Sequence, residues 1–223
     1  MPIMIHFHGE RMFITFEGIE GCGKSTQITL LADALQQTGR RVLLTREPGG
    51  CPIANQIRSV LLDAANTALV PMAELMLYAA ARAQHLAEVI RPALSDGAIV
   101  LCDRFSDATR AYQSFGRGLD RQTIETLNDL ACNGISPDLT LLLDCPVEVG
   151  LGRARQRIES TSGPREERFE LESRAFHQRV RDGYLQLATE DPDRFLIVDA
   201  TGQPDQVAHA ISDALLPRLT VPA

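Results

Sequence analysis

The chain predicts an α/β fold of three layers, in which helices flank a five-stranded parallel sheet, and three observations carry that expectation. Short apolar runs alternate with helical periods along the chain, at spacings suited to right-handed crossovers. One run, Ala98-Ile-Val-Leu-Cys102, is apolar without interruption, as a strand buried on both faces must be. The stretch Gly18-Ile19-Glu20-Gly21-Cys22-Gly23-Lys24-Ser25 fits G-x-x-x-x-G-K-[ST], with an apolar run before it and an amphipathic run after it. Strand, phosphate loop and helix in that order describe a P-loop NTPase fold.

Each element follows from local pattern. Met12 to Glu17 alternates into a short buried strand. Lys24 to Thr38 sets Ile28, Leu31 and Leu35 at a helical period, and Gly39 closes it. Arg41 to Thr45 is a second strand, and Pro48 with Gly49 and Gly50 forbids its continuation. Pro52 to Leu62 reads as a short helix. Pro71 opens a long helical segment through Tyr78, Arg82 and Ile90, broken or kinked near Pro92 and closed by Gly97. The run at 98–102 delivers Asp103-Arg104 at its carboxyl end. Asp107 to Gly116 is helical, and Asp120 caps a further helix to Gly134. Leu139 to Leu143 is the fourth strand. Pro146 opens a helix whose far end carries Arg153, Arg155 and Arg157. The polar stretch Glu159 to Glu167 has no apolar period. A helix from Glu170 to Ala188, a strand from Phe195 to Val198 and a helix starting near Pro204 complete the chain.

No repeat and no Pro/Gly/Ser-rich linker divides residues 12–223, which read as a single domain with a mobile lid at about 153–168. Residues 1–11 read as a disordered N-terminal extension without the apolar core of a secretory signal. Lysines and arginines number 22 against 29 acids, a net charge of −7, which argues against a large nucleic-acid footprint. No apolar run is long enough to span a membrane. Five cysteines lie far apart with no C-x-x-C pair, which suits reduced thiols in a cytoplasmic enzyme rather than a disulfide framework or a zinc site.

The chemistry begins at the glycine-rich loop, whose backbone N–H groups would cradle phosphate oxygens at a helix N-terminus. Lys24 would reach the β- and γ-phosphates, and Ser25 would hold Mg²⁺. Asp103, closing a buried strand, resembles a Walker-B acid acting on Mg²⁺ directly or through water. Tyr78 and Arg82 lie four apart on one helix and share a face. An aromatic plane beside a planar cation suits a flat heterocycle with carbonyl oxygens, although a core Tyr and a surface Arg have the same pattern. Arg58 has the same bland reading, as a charge on a helix surface. The arginines Arg153, Arg155, Arg157, Arg165 and Arg168 describe either a basic lid over a triphosphate or a solvated helix end.

These residues carry a resemblance over Met12 to Leu219. Phe16 to Thr26, Thr45-Arg46-Glu47-Pro48-Gly49-Gly50, Tyr78-Ala79-Ala80-Ala81-Arg82, Asp103-Arg104-Phe105, Ala111-Tyr112-Gln113 with Gly116-Arg117-Gly118, Pro137 to Thr140 and Arg168-Phe169-Glu170 resemble the bacterial thymidylate kinases. The resemblance implies transfer of the ATP γ-phosphoryl group to dTMP with Mg²⁺. Gly18, Ile19, Glu20, Gly21, Cys22, Gly23, Lys24, Ser25 and Thr26 would bind ATP, and Ser25 and Asp103 the metal. It implies that Tyr78, in place of the usual Phe, stacks on thymine and that Arg82 hydrogen-bonds it. Thr109 and Gln113 would address the base edge, and Tyr112 would crowd the 2′ position. Arg58 and Arg104 would hold the 5′-phosphate, with Glu47 near the sugar–phosphate end. Gly21 stands where one subclass carries a catalytic arginine, which assigns that task to the lid, with Arg153, Arg157 and Arg168 foremost. Lys24 and Arg104 complete the catalytic set. Ala108 departs from the Ser of many relatives. Relatives are commonly homodimers, and Leu75, Leu86 or Leu127 would supply either an interface or core.

Two readings stand beside this one: a P-loop kinase for another nucleotide or nucleoside, and a P-loop ATPase module of a larger assembly. A GTP-dependent switch needs a guanine-selecting N-K-x-D, which the chain lacks.

Overall fold

The computed structural model describes residues 11–160, 168–169 and 171–219. Five parallel strands, β1 (Met12–Glu17), β2 (Val42–Arg46), β3 (Ile99–Asp103), β4 (Leu139–Asp144) and β5 (Phe195–Asp199), form one sheet in the order β2-β3-β1-β4-β5. Alternate residues of β1 and β3 enter two different cores. Ile14, Phe16, Ile99 and Leu101 join α1 (Lys24–Gln37), α8 (Arg174–Glu190) and α9 (Pro204–Leu219) on one face. Phe13, Val100 and Cys102 join Leu86, Ile90, Phe105 and Cys132 on the other. Two covered faces make the expected three layers, and they explain why 98–102 has no polar residue.

The sheet order fixes where a ligand can sit. β1 is central, with β2 and β3 on one side and β4 and β5 on the other. Its carboxyl end is therefore the switch point of the topology, where open parallel sheets hold their ligands. The register sets Phe16 of β1 beside Asp103 of β3, and Asp103 beside Arg46 of β2.

Between the strands run α2 (Pro52–Leu62), α3 (Pro71–His85), α4 (Arg91–Ser95), α5 (Ser106–Thr109), α6 (Arg121–Cys132) and α7 (Val147–Ser160). The structure differs from the sequence reading at two helices, the one from Pro71 and α8. The segment from Pro71 does not break at Pro92. It widens into a π turn, Leu86–Ile90, and continues as α4. Pro92 cannot donate to the carbonyl four residues back, and a wider turn immediately before it relieves that crowding. A second π turn, Arg110–Gly116, extends α5. Helix α8 begins at Arg174 rather than Glu170, because Ser173 caps it by accepting from the Phe176 N–H. Asp120 caps α6 as expected, its carboxylate accepting from Thr123 N–H. Leu75 and Leu86 are buried in the interior and offer no interface, whereas Leu127 is half-buried.

The extension at 1–10 and most of the expected lid, 161–167, lie outside the described residues. All five cysteines are buried and unpaired. Among the described residues, no helix is long and apolar enough to cross a membrane.

Candidate active site

The phosphate loop joins β1 to α1. Its glycines adopt conformations that side chains resist: Gly18, Gly21 and Gly23 have φ of 135°, 70° and 98°. Ile19 and Cys22 point into the core and anchor the loop, leaving their backbone for a ligand. Gly21 is required for a second reason. A Cβ there would stand 2.0 Å from the carbonyl oxygen of Gly150 on α7, while a Cβ on Gly150 would stand 2.5 Å from the Glu20 carbonyl oxygen. Loop and helix meet backbone to backbone. No side chain, arginine included, fits at position 21 in this packing.

Lys24 folds over its own loop, its Nζ donating to the carbonyls of Gly18 (3.1 Å) and Ile19 (2.9 Å). Ser25 Oγ donates to Asp103 Oδ2 at 3.2 Å. Two oxygen donors this close suit Mg²⁺, a hard cation that keeps water and phosphate in its shell. No cluster of three His, Cys, Asp or Glu suited to a metal exists among the described residues, so phosphate oxygens would complete that shell. The loop and this pair fit ATP with Mg²⁺.

Arg104 follows Asp103 with φ 70°, a left-handed conformation that costs a non-glycine residue about 1–2 kcal/mol. That conformation is held by its N–H, which donates to Phe16 of β1. The side chain then reaches back to the phosphate loop, donating to Gly18 O (2.8 Å), the Tyr184 hydroxyl (3.1 Å) and Glu20 Oε1 (3.1 Å). The Tyr112 ring lies 4.9 Å from its guanidinium carbon, and the Tyr112 hydroxyl donates to Glu20 Oε1 at 2.5 Å. His177 Nδ1 of α8 stands 3.1 Å from Glu20 Oε2, at an angle poor for a hydrogen bond.

Two buried carboxylates three residues apart are shifted in opposite directions by their neighbours. Burial works against the Glu20 charge, but His177, then Arg104, Lys24 and Tyr112, hold its carboxyl at about 2. Glu17 meets only neutral donors, Phe105 N–H (2.7 Å) and the Tyr184 hydroxyl (2.7 Å). Burial first, then the nearby charge of Asp107, raises Glu17 to about 7 despite Arg104.

Across from the loop, α3 presents Glu74, Tyr78 and Arg82 one turn apart each. Arg82 is not the surface cation of the bland sequence reading: it is 2% exposed. Four of its five N–H donors meet protein groups, which leaves one Nη1 N–H for the base that the resemblance implies. Its Nε donates to Glu47 Oε2 (2.8 Å), Nη1 to Asn128 (2.7 Å), and Nη2 to the Phe105 carbonyl (3.1 Å) and Thr109 Oγ1 (2.8 Å). The other Glu47 oxygen lies 3.2 Å from His85 Nδ1, and His85 Nε2 bonds Thr45 Oγ1 at 2.6 Å. Glu47 is thus a buried ion-pair partner of Arg82. Arg58 Nη1 donates to the Pro48 carbonyl in the same loop. Burial first, then Glu74, raises the Tyr78 hydroxyl above its ordinary range, against the charges of Arg168, Arg104 and Arg58.

The lid arginines have separate occupations. Arg153 Nη1 and Nη2 donate to the carbonyls of Ala200 (2.7 Å) and Thr201 (2.9 Å), tying α7 to the turn after β5 rather than to the phosphate loop. Arg168 pairs with Glu74 Oε2 at 2.6 Å and stacks on Phe169. Arg157 is exposed on α7. The site also contains groups that sequence reasoning missed: Glu74, His85, Arg117, His177 and Tyr184. Glu74 and His85 announce themselves only as polar residues on the Tyr78 helix. His177 and Tyr184 lie more than 150 residues from the glutamates they approach, and no spacing signals them.

A phosphate loop at the switch point, facing a pocket of paired acids and guanidiniums, defines a P-loop kinase. The family model for thymidylate kinase matches residues 16–211. The chain is 86% identical over 211 residues to the thymidylate kinase of Trichlorobacter lovleyi, covering 95% of this chain and all of that one. It is 65% identical over 208 residues to that of Geotalea daltonii, covering 93% and 97%. The crystal structure of thymidylate kinase from Ehrlichia chaffeensis superposes with a TM-score of 0.74 at 34% identity, covering 92% of this chain and 98% of that one. The chain belongs to the thymidylate kinase family.

Proposed function

We propose that the protein transfers the γ-phosphoryl group of ATP to dTMP, giving dTDP and ADP. The observation that carries the reading is Arg104, whose side chain bonds the Gly18 carbonyl and Glu20 of the donor loop, while its charge also reaches the Tyr78 hydroxyl. One guanidinium placed between donor and acceptor can hold the 5′-phosphate in line with a γ-phosphate. The nucleophile is an acceptor phosphate oxygen, already anionic at pH 7, so no side-chain base is needed. The chain's work is alignment, charge neutralisation and exclusion of water.

In this reading Lys24 exchanges its loop carbonyls for the β- and γ-phosphate oxygens, and the N–H groups of 18–26 cradle the triphosphate. Ser25 and Asp103 hold Mg²⁺, which when bound neutralises phosphate charge. Arg58 joins Arg104 on the 5′-phosphate, Tyr78 stacks on thymine, Thr109 and Gln113 read its edge, and Tyr112 crowds the 2′ position. Arg82 offers its remaining Nη1 N–H to the base, and Glu47, its buried ion-pair partner, lies near the sugar–phosphate end. Among the lid arginines, Arg153, Arg157 and Arg168 are the candidates for the transition-state charge.

We further propose a cytoplasmic homodimer. The reducing cytoplasm suits five buried thiols. The exposed Ile53, Val60, Met72 and Met76 on α2 and α3 support the second copy.

A coupled ADP-release assay with dTMP, dUMP, dCMP and dGMP side by side tests the function. dTMP is expected to be the preferred acceptor. Turnover with dCMP or dGMP and none with dTMP overturns the reading.

A further inference from the structure

Glu74 has no part in the reaction as proposed, yet it is 1% exposed and gathers three groups from other segments. Its Oε1 accepts from Gln113 Nε2 (2.8 Å) and Arg117 Nε (3.3 Å). Its Oε2 accepts from Arg117 Nη2 (3.2 Å) and pairs with Arg168 Nη2 (2.6 Å). Arg117 also pairs with Glu172. We infer that Glu74 fixes the direction of the Gln113 amide, and so makes the pocket select a base that donates a ring N–H over one that offers a ring lone pair.

The argument is one of polarity. A carboxylate flanked by two guanidiniums accepts hydrogen bonds and donates none. Only the NH₂ end of Gln113 can face it, so the carbonyl Oε1 must face the other way. Gln113 is itself 1% exposed, and it lies one helical turn beyond Thr109, whose hydroxyl receives Arg82. Glu74 lies one turn before Tyr78 on α3. The amide oxygen is thereby turned toward the Tyr78 pocket as a fixed acceptor. Thymine and uracil carry a proton on the ring nitrogen between their carbonyls, and it satisfies that acceptor. Cytosine has a lone pair at that nitrogen, and two acceptors would then meet in a site closed to water. Glu74 touches no substrate. It is a positioning residue acting through Gln113.

This inference rests on the reading of the pocket as the dTMP site, and its test separates the two. kcat/KM is measured for dTMP and for 5-methyl-dCMP, which keeps the methyl group and changes only the hydrogen-bonding edge. If the wild-type chain does not phosphorylate dTMP, the proposed function fails. If it does, Glu74→Gln, whose amide presents either polarity, is expected to lower the dTMP to 5-methyl-dCMP ratio by about tenfold or more, with the KM for ATP unchanged. Glu74→Asp keeps an acceptor-only group and is expected to retain the ratio even where kcat/KM falls. An unchanged ratio in Glu74→Gln overturns the inference. Should that variant not fold, the wild-type chain decides by NMR. Titration with dTMP is expected to move the Gln113 side-chain carbonyl ¹³C and leave its amide protons on Glu74. The reverse pattern overturns the inference.

Discussion

The two halves of the site are held together in different ways. On the acceptor side, the charged core is already matched, although Asn128 Nδ2 and Arg168 Nη2 are buried without a hydrogen bond. Arg82 bonds Glu47, Asn128, Thr109 and Phe105, and His85 bridges Glu47 to Thr45. On the donor side the groups hold one another in makeshift fashion. Lys24 leans on its own loop carbonyls, and Glu20 Oε2 and both His177 nitrogens are buried without a hydrogen bond. A base pocket must reject wrong shapes before chemistry starts, so it gains from being rigid beforehand. A phosphate loop must exchange partners each turnover, so contacts that a phosphate can replace serve it better.

That contrast separates activity from stability, and the largest test lies on the donor side. Lys24→Met is expected to reduce kcat by about 10³ or more, while thermal melting shifts by less than about 4 °C. Arg104→Ala should likewise abolish turnover with the fold intact. Near-normal phosphorylation of dTMP by purified Arg104→Ala would remove Arg104 from its assigned role.

The next effect lies on the acceptor side and reverses the pattern. Glu47→Ala leaves the Arg82 guanidinium buried without its ion-pair partner, which typically costs about 3–5 kcal/mol. Urea unfolding should show that loss, along with any loss of activity. A Glu47→Ala protein as stable as wild type would mean that the acceptor side is not preorganised as described.

A third test uses pH. Glu17 binds its proton more tightly in the fold than in the unfolded chain, so between about 4.5 and 7 the native state holds more protons. Stability should therefore decline as pH rises through that window, by up to about 3 kcal/mol, and level off above it. Glu20 has the opposite sign. Its stabilisation is present above about 4.5 and is lost as pH falls toward 2. Denaturant midpoints of Glu17→Gln across pH 5 to 8 should lose the decline seen in wild type. The smallest expected effect lies at Arg153. Arg153→Ala should lower stability by about 1–3 kcal/mol through the orphaned carbonyls of Ala200 and Thr201, a loss that urea unfolding reads directly.

The sequence was legible where the physics is local. The phosphate loop, the uninterrupted strand at 98–102 and the Asp120 cap depend on neighbours a few residues apart. Helix α8 starts at Arg174 rather than near Glu170, because Ser173 accepts from the Phe176 N–H and sets the first turn there. The site's interior was not legible. Arg82 and Glu47 are 35 residues apart, and Tyr184 and Glu17 are 167 apart. A motif names such residues without saying whether a guanidinium faces a ligand or a buried acid. Glu74 alone gave a fair signal, a carboxylate one turn from Tyr78 on the face that must be covered.

The contact between Gly21 and Gly150 has a historical consequence. Each glycine excludes a side chain from the other's segment, so neither position can change alone without a clash against main chain. A lineage carrying this pair cannot place an arginine at position 21 by one substitution. It must first separate loop and helix. What stands at position 21 is therefore less a choice of residue than a commitment of two backbones.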